Sequence, residues 1–162
     1  MKGVTLPELI ISLAIISLLA VVGSPSIQRS LDKARVISAT NNILGFIHLA
    51  RSTSLSNRQV YLCDGHYHCD AFRKTNTLQL LHPRANKDGT SDLDVFQELT
   101  LPAKTHVQWK RFRGNALLFH TDGRTHFQNG HFLICGETAA RKIVMNWAGR
   151  PRVETTPLEN CS

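Results

Sequence analysis

Residues 4–23 read VTLPELIISLAIISLLAVVG, and how that stretch is used decides how the rest of the 162-residue chain is arranged. About twenty helical residues at ~1.5 Å each cover ~30 Å, the thickness of a bilayer's hydrocarbon core. The stretch holds one charge, Glu8, and one proline, Pro7; Lys2 is the only basic residue before it. An ionisable side chain inside a membrane segment costs about 2.5–3.5 kcal/mol on insertion scales, so it normally serves a purpose. The alternative is a cleaved secretory signal, for which Gly23-Ser24-Pro25-Ser26 offers small residues after the apolar run. Two features oppose it. An acidic residue near the head of the run is foreign to such signals, and the helical pattern continues past the run.

From Ile27 to about Leu55, apolar residues recur in steps of three and four at Ile27, Leu31, Ala34, Ile43, Ile47 and Ala50. That spacing marks an amphipathic helix. Arg29, Asp32, Lys33, Arg35, Asn41 and Asn42 fall on its expected polar side. The expectation is one long helix, bent near Gly23-Ser24-Pro25, because proline removes a backbone hydrogen bond and crowds the preceding turn. Segment 4–23 then lies in lipid or another apolar surrounding, and segment 24–57 packs on the globular part.

Beyond residue 58 the pattern changes to short alternating runs. Candidate strands are Val60–Cys63, Thr77–His82, Val95–Leu99, His106–Trp109, Ala116–His120, His131–Cys135 and Lys142–Trp147. Asp64-Gly65, Asp88-Gly89, Asp122-Gly123 and Asn129-Gly130 are turn dipeptides among them. Residues 83–94 are polar and read as a mobile loop. The fold class is α+β: a long N-terminal helix packed on one antiparallel β-sheet domain, residues 58–162. The length suits one domain with a real core plus one extra element.

Four cysteines, Cys63, Cys69, Cys135 and Cys161, allow two disulfides in three connectivities. The pairing Cys63–Cys69 with Cys135–Cys161 closes one short loop and ties the C-terminal tail to a strand. Oxidation is expected if the domain lies outside the cytoplasm. The rival is a zinc site, since Cys63-Asp-Gly-His-Tyr-His-Cys69 holds two thiols and two imidazoles. One compact loop rarely supplies all four tetrahedral ligands, so no metal is expected.

The stretch Gly3-Val4-Thr5-Leu6-Pro7-Glu8-Leu9-Ile10-Ile11 resembles the class III signal of type IV prepilins and type II secretion pseudopilins. The resemblance implies cleavage by a prepilin peptidase between Gly3 and Val4, leaving residues 1–3 as the leader. It also implies N-methylation of Val4 and retention of the apolar segment. Glu8 falls at the family's acidic position and is implied to act in assembly. A buried carboxylate needs a positive partner, and the Val4 amine of a neighbouring subunit can supply one. The leader is only three residues, and Val stands at position 4 where the family usually has Phe. Further on, Phe119-His120-Thr121-Asp122-Gly123-Arg124, His131–Cys135, Ala140–Met145 and Gly149–Val153 resemble the C-terminal domain of H-type pseudopilins and of the related FimU and FimT minor pilins. Implied partners are other pilins and the inner membrane before assembly, with the C-terminal domain in the periplasm.

The net charge of +7 is uneven. Residues 1–103 hold ten Lys/Arg against eight Asp/Glu, and residues 104–162 hold nine against four, balances of +2 and +5. Such an excess is either a solvated surface or a site for polyanions. Gly149-Arg150-Pro151-Arg152 matches the GRxR motif of the FimT-like proteins, which bind DNA in natural transformation. In an extended segment Arg150 and Arg152 point to one side, roughly 6.5–7 Å apart. Guanidinium groups grip phosphate oxygens without reading sequence. Lys110, Arg111, Arg113, Arg124, Arg141 and Lys142 are further candidates. A charged, aggregation-blocking strand edge is the competing reading of Arg150 and Arg152. Core packing is expected for Trp109 and Trp147, with base stacking by them and Phe112 the alternative. Protonation of histidines is expected to raise DNA affinity below about pH 6.5.

No HExxH spacing, P-loop, nucleophile elbow or dinucleotide fingerprint is present, so neither catalysis nor a cofactor is expected. Two readings remain in front of a third, an abundant major pilin. One is a DNA-binding minor pilin serving transformation. The other is a structural minor pilin or pseudopilin that primes or caps filaments.

Overall fold

The computed structural model describes residues 6–56, 58–65, 69, 74–85 and 91–161, with side chains for all but 18–24, 85 and 91. The cleavage position Gly3–Val4, the histidines His66 and His68, and the turn Asp88-Gly89 lie outside these residues. One α-helix, α1, runs from Leu6 to Ser54 with Pro25 inside it. Eight strands follow among the described residues: β1 (Val60–Cys63), β2 (Thr77–Ala85), β3 (Ser91–Thr100), β4 (His106–Lys110), β5 (Leu117–Phe119), β6 (Gly130–Cys135), β7 (Ala140–Met145) and β8 (Pro151–Thr155). A short 3-10 helix, Leu158–Cys161, closes the described chain. The architecture is the expected α+β, with the strands divided between two four-stranded antiparallel sheets, ordered β3-β2-β1-β5 and β4-β6-β7-β8.

Two strand expectations change. Both ends of the expected loop 83–94 are strand instead: β2 extends to Ala85 and β3 starts at Ser91, paired Pro83 with Leu93 and Arg84 with Asp92, while 86–90 lie outside the described residues. Pro83 is tolerated because β1 reaches only as far as Leu81, so the proline sits where β2 has a free side. The second half of the GRxR segment also opens a strand, β8, paired Val144 with Arg152 and Ile143 with Val153, while Gly149 and Arg150 stay in the turn before it. Its proline opens the strand at a sheet edge, where a missing N–H is harmless.

Both sheets turn one face inward onto a shared core of Val60, Leu62, Leu78, Leu80, Val107, Leu117, Phe119, Phe132, Ile134, Ile143 and Met145. Into it α1 lays Val36, Ala39, Ile43, Phe46, Ile47 and Ala50. Each buried large aliphatic or Phe side chain contributes about 1.5–3 kcal/mol. Ile27, Leu31 and Ala34, expected on that stripe, are exposed instead, because the sheets begin to cover the helix only at Asp32. Leu6, Leu9, Ile10, Ile11, Leu13, Ile15 and Ile16 are all more than half exposed. Among the described residues no helix is long and apolar enough to cross a membrane.

Asp32, expected on the polar side, is 1% exposed. Its carboxylate accepts from the amides of Glu137 (3.1 Å) and Thr138 (2.6 Å) and from the Thr138 hydroxyl (2.8 Å). The β6–β7 turn is thus fastened to the helix. Gly136 permits the approach, since a Cβ there would stand 2.7 Å from an Asp32 oxygen. Cys63 is bonded to Cys69 and Cys135 to Cys161, with Cα atoms 5.3 and 5.9 Å apart. The second bond holds the 3-10 helix against the outer face of β6, where Gln108 Nε2 donates to the Cys161 carbonyl at 2.8 Å.

Burial pushes the Asp32 carboxyl up, but the hydrogen bonds from Thr138 and Glu137 outweigh it and hold the group below the ordinary carboxylate value. A carboxyl depressed in the folded state stabilises fully above its unfolded value and loses that contribution as pH falls through the folded one. Asp32→Ala is expected to cost about 2–4 kcal/mol at neutral pH, since it strands buried donors. Urea unfolding checks this. The difference from the parent chain should shrink as pH falls below about 4, and a pH-independent difference would contradict the assignment.

Candidate polyanion interface

Residues paired across antiparallel strands share a face, and alternate residues take opposite faces. In the sheet β4-β6-β7-β8 the row Trp109, Phe132, Ile143, Val153 carries the core side. The neighbouring row, Lys110, His131, Val144, Arg152, therefore lies on the outer side. So does the row Gln108, Leu133, Lys142, Glu154. Lys110, Arg111, His131 and Lys142, with Thr156 and Asn160 from the tail, line a groove of ≈ 370 Å³ on this side. Arg111 follows β4 in a left-handed conformation, φ 65°, which turns the chain as the strand ends.

The charge here is partly answered. Glu154 receives Lys142 Nζ at 2.6 Å and also binds Arg152 Nη2. The hydrogen bond from Lys142 holds the Glu154 carboxyl below its ordinary value, and attraction to both cations adds to it against the opposing effect of burial. Burial lowers His131, and Lys142, Arg111 and Lys110 push it further down. Burial, then Lys74, lowers His106. These two imidazoles gain their protons at lower pH than an ordinary histidine. The expected rise in charge below about pH 6.5 therefore does not come from them.

The candidate cations do not form one patch. Arg141 falls in the core-side row with Ile134 and Thr155, and lines a separate hollow beside Lys33 and Ile37 of the helix. It is removed from the outer-face group. Arg113 is exposed in the loop after β4, where its carbonyl accepts from Gln128 Nε2 at 3.0 Å. Arg150 is exposed in the β7–β8 turn, its amide donating to Asn146 Oδ1 at 3.0 Å. Gly149 is needed there for two reasons. Its φ is +70°, and a Cβ would stand 2.6 Å from the Gly123 carbonyl oxygen. Arg124 lies over the Trp147 ring, 5.3 Å from its centroid.

The two tryptophans part company. Trp109 is buried against Phe112 and Phe132, with ring centroids 5.5 and 4.6 Å away. Trp147, expected in the core, is 53% exposed. It sits in the β7–β8 turn, two residues past Met145, the last buried residue of β7, where the sheet no longer covers it. Among the described residues no group of three or more His, Cys, Asp or Glu could hold a metal. Glu154 is the residue that sequence reading missed; its cross-strand position opposite Lys142 becomes visible only with β8 in place.

The family model of the type II transport protein GspH matches residues 39–149, ending just before Arg150. The crystal structure of the type IV minor pilin FimU of Pseudomonas aeruginosa is similar in fold, with a TM-score of 0.52 at 18% identity over 78% of this chain and 92% of that one. No curated protein matches the chain significantly.

Because Glu154 occupies two cations of the outer face, Glu154→Gln is expected to raise the salt concentration at which the full chain, in detergent, elutes from immobilised heparin. Elution at unchanged or lower salt would show that Lys142 and Arg152 do not contact polyanions.

Proposed function

The chain belongs to the GspH family and has the pilin fold, and from that premise we propose that it is a minor filament subunit whose outer sheet face binds the DNA backbone during DNA uptake. The family implies a protein first anchored in a membrane and then incorporated with other pilins into a pilus or pseudopilus. In this reading the exposed apolar residues from Leu6 to Ile16 are the part that enters lipid and then the filament core. A single pass through the inner membrane, cleavage between Gly3 and Val4, methylation of Val4 and pairing of Glu8 with a neighbour's amine belong to the same proposal. So does the prepilin peptidase as a processing partner.

The observation that carries DNA binding is the set of cations Lys110, Arg111, Lys142 and Arg152 on a face that the helix leaves free. Cations spread over a solvent-facing sheet can meet successive phosphates without contacting bases, so binding is expected to be tolerant of sequence. Arg150 adds a cation at the end of the same edge strand. The competing reading, a purely structural subunit that primes or caps filaments, draws support from Glu154, which already answers part of this charge.

The discriminating experiment is duplex binding by the detergent-solubilised chain across a salt series. If about four phosphates are neutralised, log affinity should fall against log salt with a slope near −3.6. Arg150→Gln with Arg152→Gln should weaken binding and flatten the slope by roughly one to two. Binding untouched by this pair, or absent altogether while deletion still abolishes filaments or secretion, would favour the structural subunit.

A further inference from the structure

The loop between β5 and β6 is fastened on both sides of one aromatic residue. Thr125 is buried; its amide donates to the Trp147 carbonyl at 3.2 Å and its hydroxyl to the Asn146 carbonyl at 3.1 Å. Gln128 accepts from the Leu118 amide at 2.7 Å and donates to the Ala116 carbonyl at 2.9 Å. Between these anchors His126 and Phe127 both adopt positive φ, 30° and 46°. That region is uncommon for non-glycine residues and is disfavoured for a bulky aromatic. The result is a phenyl ring held 82% exposed.

The same Thr125 bonds bring this loop beside the β7–β8 turn, so Phe127 and Trp147 line one apolar hollow of ≈ 350 Å³ with His126 and Asn129. Two exposed aromatic rings in one hollow depart from the scattered exposure normal for a soluble surface. Their surroundings are cationic. Arg124 lies over Trp147, and Arg150 is three residues along the same turn. The nearby carboxylate, Asp122, accepts from the Arg124 amide at 3.0 Å and from His126 Nε2 at 3.1 Å, and at 3.9 Å from the Arg124 Nε it answers part of that guanidinium's charge. These bonds, that of the Arg124 amide first, hold its carboxyl below the ordinary value. The chemistry that fits flat apolar rings bordered by guanidinium groups is a planar base on a phosphate chain.

We infer that Phe127 and Trp147 form a stacking site for an unpaired nucleobase, with Arg124 and Arg150 placed to meet the phosphates on either side. The inference rests on the polyanion reading above and adds a preference to it: single strands over duplex, and bases over bare backbone. In a duplex the bases are already stacked on one another and cannot enter the hollow.

The test compares the full chain, in detergent, with an oligothymidylate and with an abasic strand of equal length and charge. The oligothymidylate is expected to bind about tenfold more tightly and to quench the emission of the exposed Trp147. Trp147→Ala and Phe127→Ala should each bring its affinity down towards that of the abasic strand. Neither should change abasic binding, and Trp147→Tyr should retain the preference. Both side chains are exposed, so thermal melting should be unchanged in the variants. Equal affinity for the two strands overturns the stacking site while leaving backbone binding in place. Failure to bind either strand overturns both. Loss of filament incorporation in Trp147→Ala, with the strand preference intact, assigns the hollow to a neighbouring subunit and also overturns the inference.

Discussion

The carboxylate of Asp32 is the joint of this molecule. A charge at a site with 1% exposure is costly unless its lone pairs are filled, and here the Glu137 and Thr138 amides and the Thr138 hydroxyl fill them. The bond fixes where the helix meets the sheets. Downstream of it every few residues contribute to one stripe, from Val36 to Ala50, against the shared core. Upstream of it the apolar side chains from Leu6 to Ile16 stand more than half exposed among the described residues. A helix built in this way is completed by other molecules, and the pilin fold gives that division a use.

The joint also decides which surface is free. Both sheets turn their inner faces onto the core that they share with the helix stripe, which leaves their outer faces and the strand ends open to contact. On the sheet β3-β2-β1-β5 the outer side carries a small cluster of the Cys63–Cys69 bridge with Leu81, packed by Tyr61 and Leu93. On the other sheet, the outer side carries the cations Lys110, Lys142 and Arg152, with the disulfide-bound tail at its border. Glu154 sets how much of that positive charge is on offer. The aromatic hollow of Phe127 and Trp147 lies at the end of the strands, where turns rather than strands position the side chains.

Much of this was legible in the sequence because periodicity reports burial. The three-and-four spacing of Ile43, Ile47 and Ala50 located the packed half of the helix, and alternation located seven of the eight strands. What escaped has a common cause. Asp32 is polar by type, and only the distant Gly136–Thr138 turn makes it a buried group. Pro151 and the charges around it hid β8, because an edge strand needs neither an unbroken donor row nor apolar alternation. Polar residues likewise hid the far ends of β2 and β3, Pro83–Ala85 and Ser91–Asp94, which pair with each other rather than pack on the core. Arg141 and Lys142 are adjacent in sequence and looked equivalent, yet one residue of offset in a strand sends them to opposite faces. Trp147 looked like core by composition, and the turn that contains it decided otherwise.

Footprinting of lysine amines by mass spectrometry, with and without duplex DNA, reads the outer-face assignment without substituting any residue. Lys110 and Lys142 should lose reactivity when DNA is present. Lys33 on the helix and Lys104, paired with Glu137 at 3.1 Å, should keep theirs and serve as internal controls. Uniform protection of all four, or protection of Lys33 and Lys104 alone, would contradict a binding face set by the outer rows of β4, β6, β7 and β8.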